Sequence, residues 1–291
     1  VRSLLVVLAA LASGAARADP PPAGGVTDLI GPRALALAAA TGVASGNDGI
    51  FVNPAAVAAR RRYSVEPLFA TDRRGGTTVG QYLGASVVDS LSAPMTASLA
   101  YVRPVDGAER GNLLVGGLAG AVMEKLYLGV QARYLGLERT TATGTEKIGG
   151  VTADAGLFWE VGDLVSLGVS GYNLVPIGHR RWVPRSVGAG LAVGSDTSFR
   201  VMADWHADLD RDPNGKTTNR YAAGAEVLLG NMAPVRAGLE RDETLGTSWW
   251  SLGAGLVTPT GAALDVGYKQ SFTSPNARII AVSFKLQFLE L

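Results

Sequence analysis

From Arg61 to the C-terminus, apolar residues recur at every second position in one run after another. A period of two marks a β-strand with one apolar face and argues against an amphipathic helix over the same stretches. Turn signals at Gly, Pro, Asn and Asp clusters divide the pattern into about fourteen runs. They lie near 61–71, 77–89, 95–104, 111–122, 125–137, 148–160, 163–174, 183–194, 197–208, 218–229, 234–242, 247–257, 261–272 and 277–289. Most span about 10–13 residues, which is long for a soluble strand and is the length a tilted strand needs to cross a bilayer.

Facing within the runs is consistent. Phe199, Val201, Ala203 and Trp205 share one face, against Arg200, Met202, Asp204 and His206. Leu126, Leu128, Val130 and Ala132 oppose Tyr127, Gln131 and Arg133; Leu264, Val266 and Tyr268 oppose Asp265 and Lys269. Lipid accepts the first set of each pair and rejects the second, since a basic side chain on the lipid face costs about 2–4 kcal/mol at the bilayer midplane. Tyr63, Tyr134, Trp159, Tyr221, Trp249 and Tyr268 lie near run ends, the expected position of an aromatic girdle. In the last run Ile280, Val282, Phe284, Leu286 and Phe288 are expected to face outward.

Composition points the same way. The chain is 47% hydrophobic and only 18% charged, with 38 glycines, yet no window reaches the roughly 18 apolar residues of a spanning helix. Apolar residues spread over alternating positions suit a membrane β-barrel. A net charge of +1 argues against a nucleic-acid partner, and the absence of cysteine excludes disulfides and thiolate chemistry. The connections alternate in length. Arg103 to Asn112, Leu137 to Lys147, Asn173 to Val183 and Asp208 to Thr217 read as long polar loops. The turns near 123–125, 161–163, 194–196, 230–232 and 258–260 are short. Short turns on one side and long loops on the other are the asymmetry of an outer-membrane barrel with both termini inside.

The chain before Arg61 is different. Residues 4–12 are apolar, and Ala16-Arg17-Ala18 has the form of a cleavage site, so 1–18 reads as a signal peptide removed near Ala18. Residues 19–60 follow as a proline-rich leader and a small-residue segment, with a helix expected over Ala34 to Ala40 behind Pro32. Asn47-Asp48-Gly49 is turn chemistry, and a second short helix is expected over Ala55 to Arg60 with Asn53 as its cap. Side chains this small suit close packing inside another structure. The fold expected is therefore an all-β membrane protein: an antiparallel transmembrane β-barrel of about 14 strands over 61–291, with a small N-terminal helical hatch.

Gly31-x-Arg33-Ala34 through Asn47-Asp48, followed by Asn53-Pro54-Ala55, resembles the N-terminal hatch of the FadL-like and PorV-like outer-membrane barrels. Gly171-Tyr-Asn173-Leu, Arg220-Tyr-Ala-Ala-Gly-Ala-Glu226 and Val235-Arg236-Ala-Gly238 add to the likeness. The resemblance implies residence in the outer membrane of a Gram-negative bacterium. It also implies fourteen strands and passive transport of a hydrophobic, fatty-acid-like compound past the hatch, often leaving sideways through a kinked strand. Smaller relatives of the same group serve as non-transporting partners for a secreted protein or an envelope machine, and that alternative stays open. The expected partners are thus outer-membrane lipid, a hydrophobic small molecule, or a secreted or envelope protein.

Candidate sites are few. Glu226, Arg236 and Glu240 fall on inward positions of neighbouring runs and are expected to form an ionic ladder that holds the hatch. His179, Arg180, Arg181 and Trp182 form a basic-aromatic patch in an outer loop, suited to an anion or to packing at the interface. His206 with Asp204 and Asp208 reads as a cation site at the mouth or, more simply, a solvated strand end. Asp208-Leu-Asp210-Arg-Asp212 lacks the distal carboxylate of a calcium loop. With two histidines, no metal-ligand spacing and no Ser-His-acid set, neither a metal, a cofactor nor an enzymatic activity is expected.

Overall fold

In the computed structural model, which describes residues 25–26, 29–38, 46–74, 77–141, 144–212, 215–243, 245–274 and 276–289, the period-two runs pair into one closed sheet. The strands are β1 (Arg62–Arg74), β2 (Thr77–Asp89), β3 (Thr96–Gly107), β4 (Glu109–Met123), β5 (Leu126–Thr141), β6 (Gly144–Val161) and β7 (Val165–Tyr172). They continue as β8 (Ser186–Gly194), β9 (Phe199–Asp208), β10 (Thr218–Leu229), β11 (Ala233–Asp242), β12 (Thr247–Val257), β13 (Ala262–Ser271) and β14 (Arg278–Leu289). Each pairs antiparallel with its sequence neighbours, and β1 closes the barrel on β14, from Arg62 opposite Leu289 to Arg73 opposite Arg278. Closure leaves no free sheet edge, which is what allows a sheet to sit in lipid.

The outward face carries Leu83, Leu99, Val130, Val151, Val169, Phe199, Leu252, Phe284 and Phe288, all exposed. The inward face carries Arg133, Asp154, Arg200, Glu226, Arg236, Glu240, Asp265 and Lys269, all buried. Of the expected girdle, Tyr63, Tyr134, Trp159 and Tyr221 point outward. Trp249 does not: it is 2% exposed and faces the lumen. Its neighbour Trp250 takes the outer face instead, beside Tyr268 on β13, with ring centroids 5.4 Å apart. Two adjacent tryptophans occupy opposite faces by the pleat, and Ser251 and Gly253 on the inward side set which is which.

Two of the expected long loops are strand. β3 and β4 run on until only Ala108 separates them, and β5 and β6 continue to Thr141 and from Gly144. Above the bilayer a wall strand no longer needs an apolar face, so polar sequence there does not distinguish strand from loop. The loops 173–185 and 209–217 are irregular as expected. The wall is uneven: β6 has 18 residues and β7 only 8, so β7 covers β6 only from Ala155 downward. The loop 173–185 lies along the remainder, with Leu174 N–H donating to the Ala153 carbonyl at 2.8 Å. A second seam lies between β3 and β4. Their ladder ends at Val102 opposite Leu113, and beyond it Arg103–Gly107 pair only with β2 and Glu109–Asn112 only with β5. Pro104, in that stretch, has no N–H to offer.

The described part of the N-terminal segment, the hatch by its position, packs against the inner face of the barrel. It consists of α1 (Pro32–Ala36), α2 (Gly49–Val52) and a single 3-10 turn at Ala56–Ala58. The first helix is shorter than the expected 34–40, whose last two residues lie outside the described part, as do the signal peptide and the proline leader. The second expected helix is only the 3-10 turn, and an unexpected one, α2, follows the 46–48 turn. Short helices persist here because the barrel wall, not propensity, holds them.

The wall accommodates the hatch backbone at three cross-strand glycine pairs: Gly129 with Gly156, Gly224 with Gly238, and Gly253 with Gly267. A Cβ on Gly129 would stand 2.4 Å from the Pro54 carbonyl carbon, and one on Gly238 would stand 2.6 Å from that of Leu37. One on Gly267 would meet the Pro32 carbonyl oxygen at 2.3 Å. Replacing Gly238 by Val is therefore expected to leave the barrel closed, as heat-modifiable mobility would show. The hatch would be pushed off its seat at an overpacking cost of about 1–3 kcal/mol, read as faster proteolysis within 31–60. Unchanged proteolysis and melting would contradict this account of the seat.

Candidate functional site

The hatch motif residues are buried and bonded to the wall. Gly31 caps α1, and a Cβ there would lie 1.6 Å from Asp48 Oδ1, so the carboxylate sits directly on the glycine backbone. Asn47 bridges two strands: its Nδ2 donates to Ser86 Oγ at 3.0 Å, and its Oδ1 accepts from Ser64 Oγ at 2.6 Å. Asn53 Oδ1 accepts from the Ala55 N–H at 3.0 Å, closing the turn through Pro54, while its Nδ2 donates to the Leu157 carbonyl on β6. Ser251 Oγ donates to the Ala36 carbonyl at 2.8 Å, and the Tyr172 hydroxyl donates to that of Val52.

The ionic contacts differ in part from the expected ladder. Arg33 of α1 holds Glu226 through both carboxylate oxygens, at 2.8 and 3.0 Å. Arg236 bonds the same Glu226 and also Asp265. Glu240 is not joined to this network; it takes Lys269 on β13, at 2.9 Å. Residues 236 and 240 share a face but lie two inward positions apart, so Glu240 sits nearer the mouth, level with Trp249. Burial opposes the charge of Arg33, and Glu226 outweighs it, so the pKa of Arg33 is raised.

Asp48 is the weak point of this electrostatic arrangement. Burial, reinforced by Glu66 and opposed by Lys285 and Arg33, pushes its carboxyl from 3.8 up to about 6. Lys285 itself is engaged by Glu66 at 3.1 Å.

Above the hatch lies a cavity of about 150 Å³. Its floor is the hatch itself, with Ile30, Leu35, Phe51 and Val52; Leu135 and Trp182 close one side. The rest of the wall mixes polar side chains, Arg133, Asn173, His206, Arg220 and Lys269 among them, with apolar ones such as Val183, Trp249 and Ile279. His206 packs on Tyr172 at 5.4 Å and shares Asp208 with Arg211, at 3.2 and 2.8 Å. Asp208 is thus held by arginine, and Asp210 likewise accepts from the Arg185 N–H and Nε. Among the described residues, no three His, Asp or Glu side chains converge as a metal site.

The basic-aromatic patch is divided by the loop that carries it. Trp182 turns inward, 8% exposed, and donates its Nε1 to Glu146 at 2.7 Å, with the guanidinium groups of Arg139 and Arg181 over its ring at 4.2 and 4.9 Å. His179, Arg180 and Arg181 remain outside, around a shallower hollow of about 330 Å³. Arg139 also meets Glu109 at 3.2 Å, and Glu109 accepts the Val26 N–H at 2.8 Å, so the outer loop and the start of the hatch share one ionic contact. Sequence reasoning did not single out Phe51, Arg133 or Tyr172 for the cavity. Only the inward position of Arg133 pointed toward it.

The fold resembles several solved structures. These include the toluene transporter TodX of Pseudomonas putida (TM-score 0.70, 12% identity over 90% of this chain and 99% of that one). The CymD monoaromatic hydrocarbon channel is also similar (TM-score 0.67, 14%, 90% and 98%), as is a Pseudomonas aeruginosa FadL homologue (TM-score 0.57, 13%, 94% and 99%). No protein-family model and no curated protein matches the sequence. At these identities the likeness establishes the fold: a closed fourteen-stranded antiparallel barrel.

The Asp48 environment has a pH consequence. A carboxyl whose pKa is higher docked than free favours the docked hatch most while protonated. Its stabilisation is complete below about 3.8 and is lost as pH rises through about 6. Hatch protection from protease is expected to decline over that window, and Asp48→Asn is expected to flatten the decline. A profile of the same steepness in the variant would assign the dependence to another group.

Proposed function

We propose that the chain is an outer-membrane barrel of the FadL-like kind that passes a small hydrophobic compound by binding and release, without covalent chemistry. The observation that carries this reading is the cavity between hatch and outer loop, with its apolar floor of Ile30, Leu35, Phe51 and Val52. Its volume is about that of an apolar protein cavity that takes one benzene ring, which favours a compact cargo over a long acyl chain. The similar structures include a toluene transporter and a monoaromatic hydrocarbon channel, which supports the same class of cargo. From the cavity, the apolar cluster of Val26, Leu29, Tyr82, Leu113 and Leu137 continues within the lumen. The unpaired stretch between β3 and β4, at the outer end of the wall, offers a lateral opening that bypasses the hatch. The apolar run at residues 4–12 supports export, with the leader removed near Ala18.

The test is uptake of dilute labelled toluene by Gram-negative cells with an intact lipopolysaccharide layer and no other hydrocarbon channel. Expression of the barrel should speed uptake several-fold. Ala222→Trp, which fills the cavity from β10, should return it to background while the folded barrel is present at the same level. Uptake that the wild-type protein leaves unchanged would remove the transport reading.

A further inference from the structure

The cavity wall holds more polar chemistry than a hydrocarbon needs. Arg133 on β5 and Asn173 after β7 both line it, and both are more than nine-tenths buried. Both are organised by one carboxylate. Asp154 accepts the Asn173 backbone N–H on Oδ1 at 2.8 Å, and its Oδ2 accepts Gln131 Nε2 at 2.7 Å and lies 3.7 Å from Arg133 Nη1. After those contacts Arg133 Nε and Asn173 Oδ1 have no hydrogen-bond partner. A buried donor and a buried acceptor left unmatched are costly, and each belongs to a side chain that lines the cavity. Asn173 also adopts a left-handed backbone, φ 53°, while its Nδ2 is anchored on the Pro184 carbonyl, which leaves Oδ1 as the uncommitted atom.

This inference rests on the transport reading above and narrows its cargo. We propose that the cavity selects a neutral oxygenated aromatic compound, a phenol, with its ring on the Phe51, Leu135 and Trp182 side and its hydroxyl between Arg133 and Asn173. A hydroxyl both accepts and donates, and so matches a free donor beside a free acceptor. A plain hydrocarbon would leave both groups unsatisfied. A carboxylate gains no unmatched cation here, because Asp154 already pairs with Arg133, and Arg74, Arg211, Arg220 and Lys269 are balanced in the same lining by Asp204, Asp208, Glu240 and Asp242.

Calorimetric titration of the purified full-length barrel in detergent, with micelle blanks, separates these cases using toluene, p-cresol and p-toluate, which differ in one substituent. p-Cresol should bind about tenfold more tightly than either of the others. Arg133→Lys keeps a charge beside Asp154 but removes the Nε donor, and it should bring the p-cresol and toluene affinities to within about twofold of each other. Asn173→Gly, which suits the left-handed backbone and removes the acceptor, should do the same. Toluene binding as tightly as p-cresol, p-toluate binding best, or a preference that survives both substitutions would overturn the proposal while leaving the transport reading in place. If none of the three compounds binds, both fall.

Discussion

The structure depends on contact between the hatch backbone and a barrel wall stripped of side chains at the points of contact. Three glycine pairs, Gly129–Gly156, Gly224–Gly238 and Gly253–Gly267, let Pro54, Leu37, Ala36 and Pro32 approach the sheet more closely than any Cβ permits. Close approach brings hatch carbonyls within reach of wall donors, as in the bond from Ser251 Oγ to the Ala36 carbonyl. A helix of five residues and one of four have little stability of their own; here they are fixed by what surrounds them.

That seat organises the charges. An arginine buried in the lumen needs a partner, and the position of α1 puts Arg33 onto Glu226, which Arg236 and Asp265 extend into a four-membered network. Removing one member of such a set leaves a buried charge uncompensated, which is far costlier than the set is stabilising as a whole. The network therefore specifies the hatch position more than it strengthens the barrel. Asp48, pressed against Gly31 and facing both Glu66 and Lys285, is the buried hatch group whose charge is least well matched.

The same seat makes the cavity. Hatch residues Leu35, Phe51 and Val52 close the lumen from below, and the short β7 leaves room for the loop that brings Trp182 over the top. The binding space is thus a product of two elements far apart in sequence meeting inside a third. Its walls keep the polarity of a barrel lumen, its floor has the polarity of a packed core, and a molecule with both characters fits the junction.

Much of this was legible in the chain. A strict period of two announced the strands, their number and their faces, because lipid on one side and a charged lumen on the other leave no other arrangement. The small residues of 31–60 announced something to be packed inside. The inward positions of Glu226 and Arg236 were legible too, from alternation within β10 and β11, although their direct opposition is a matter of register. Other features were not. The choice between Trp249 and Trp250, the conversion of 103–112 into strand, and the pairing of Glu240 with Lys269 depend on register between neighbouring strands. So do the alignment of glycines into pairs and the meeting of Arg133 and Asn173 on Asp154. Alternation along one strand fixes which side a residue faces but carries no information on its height relative to the next strand. Closing the barrel sets that stagger, and with it which side chains meet.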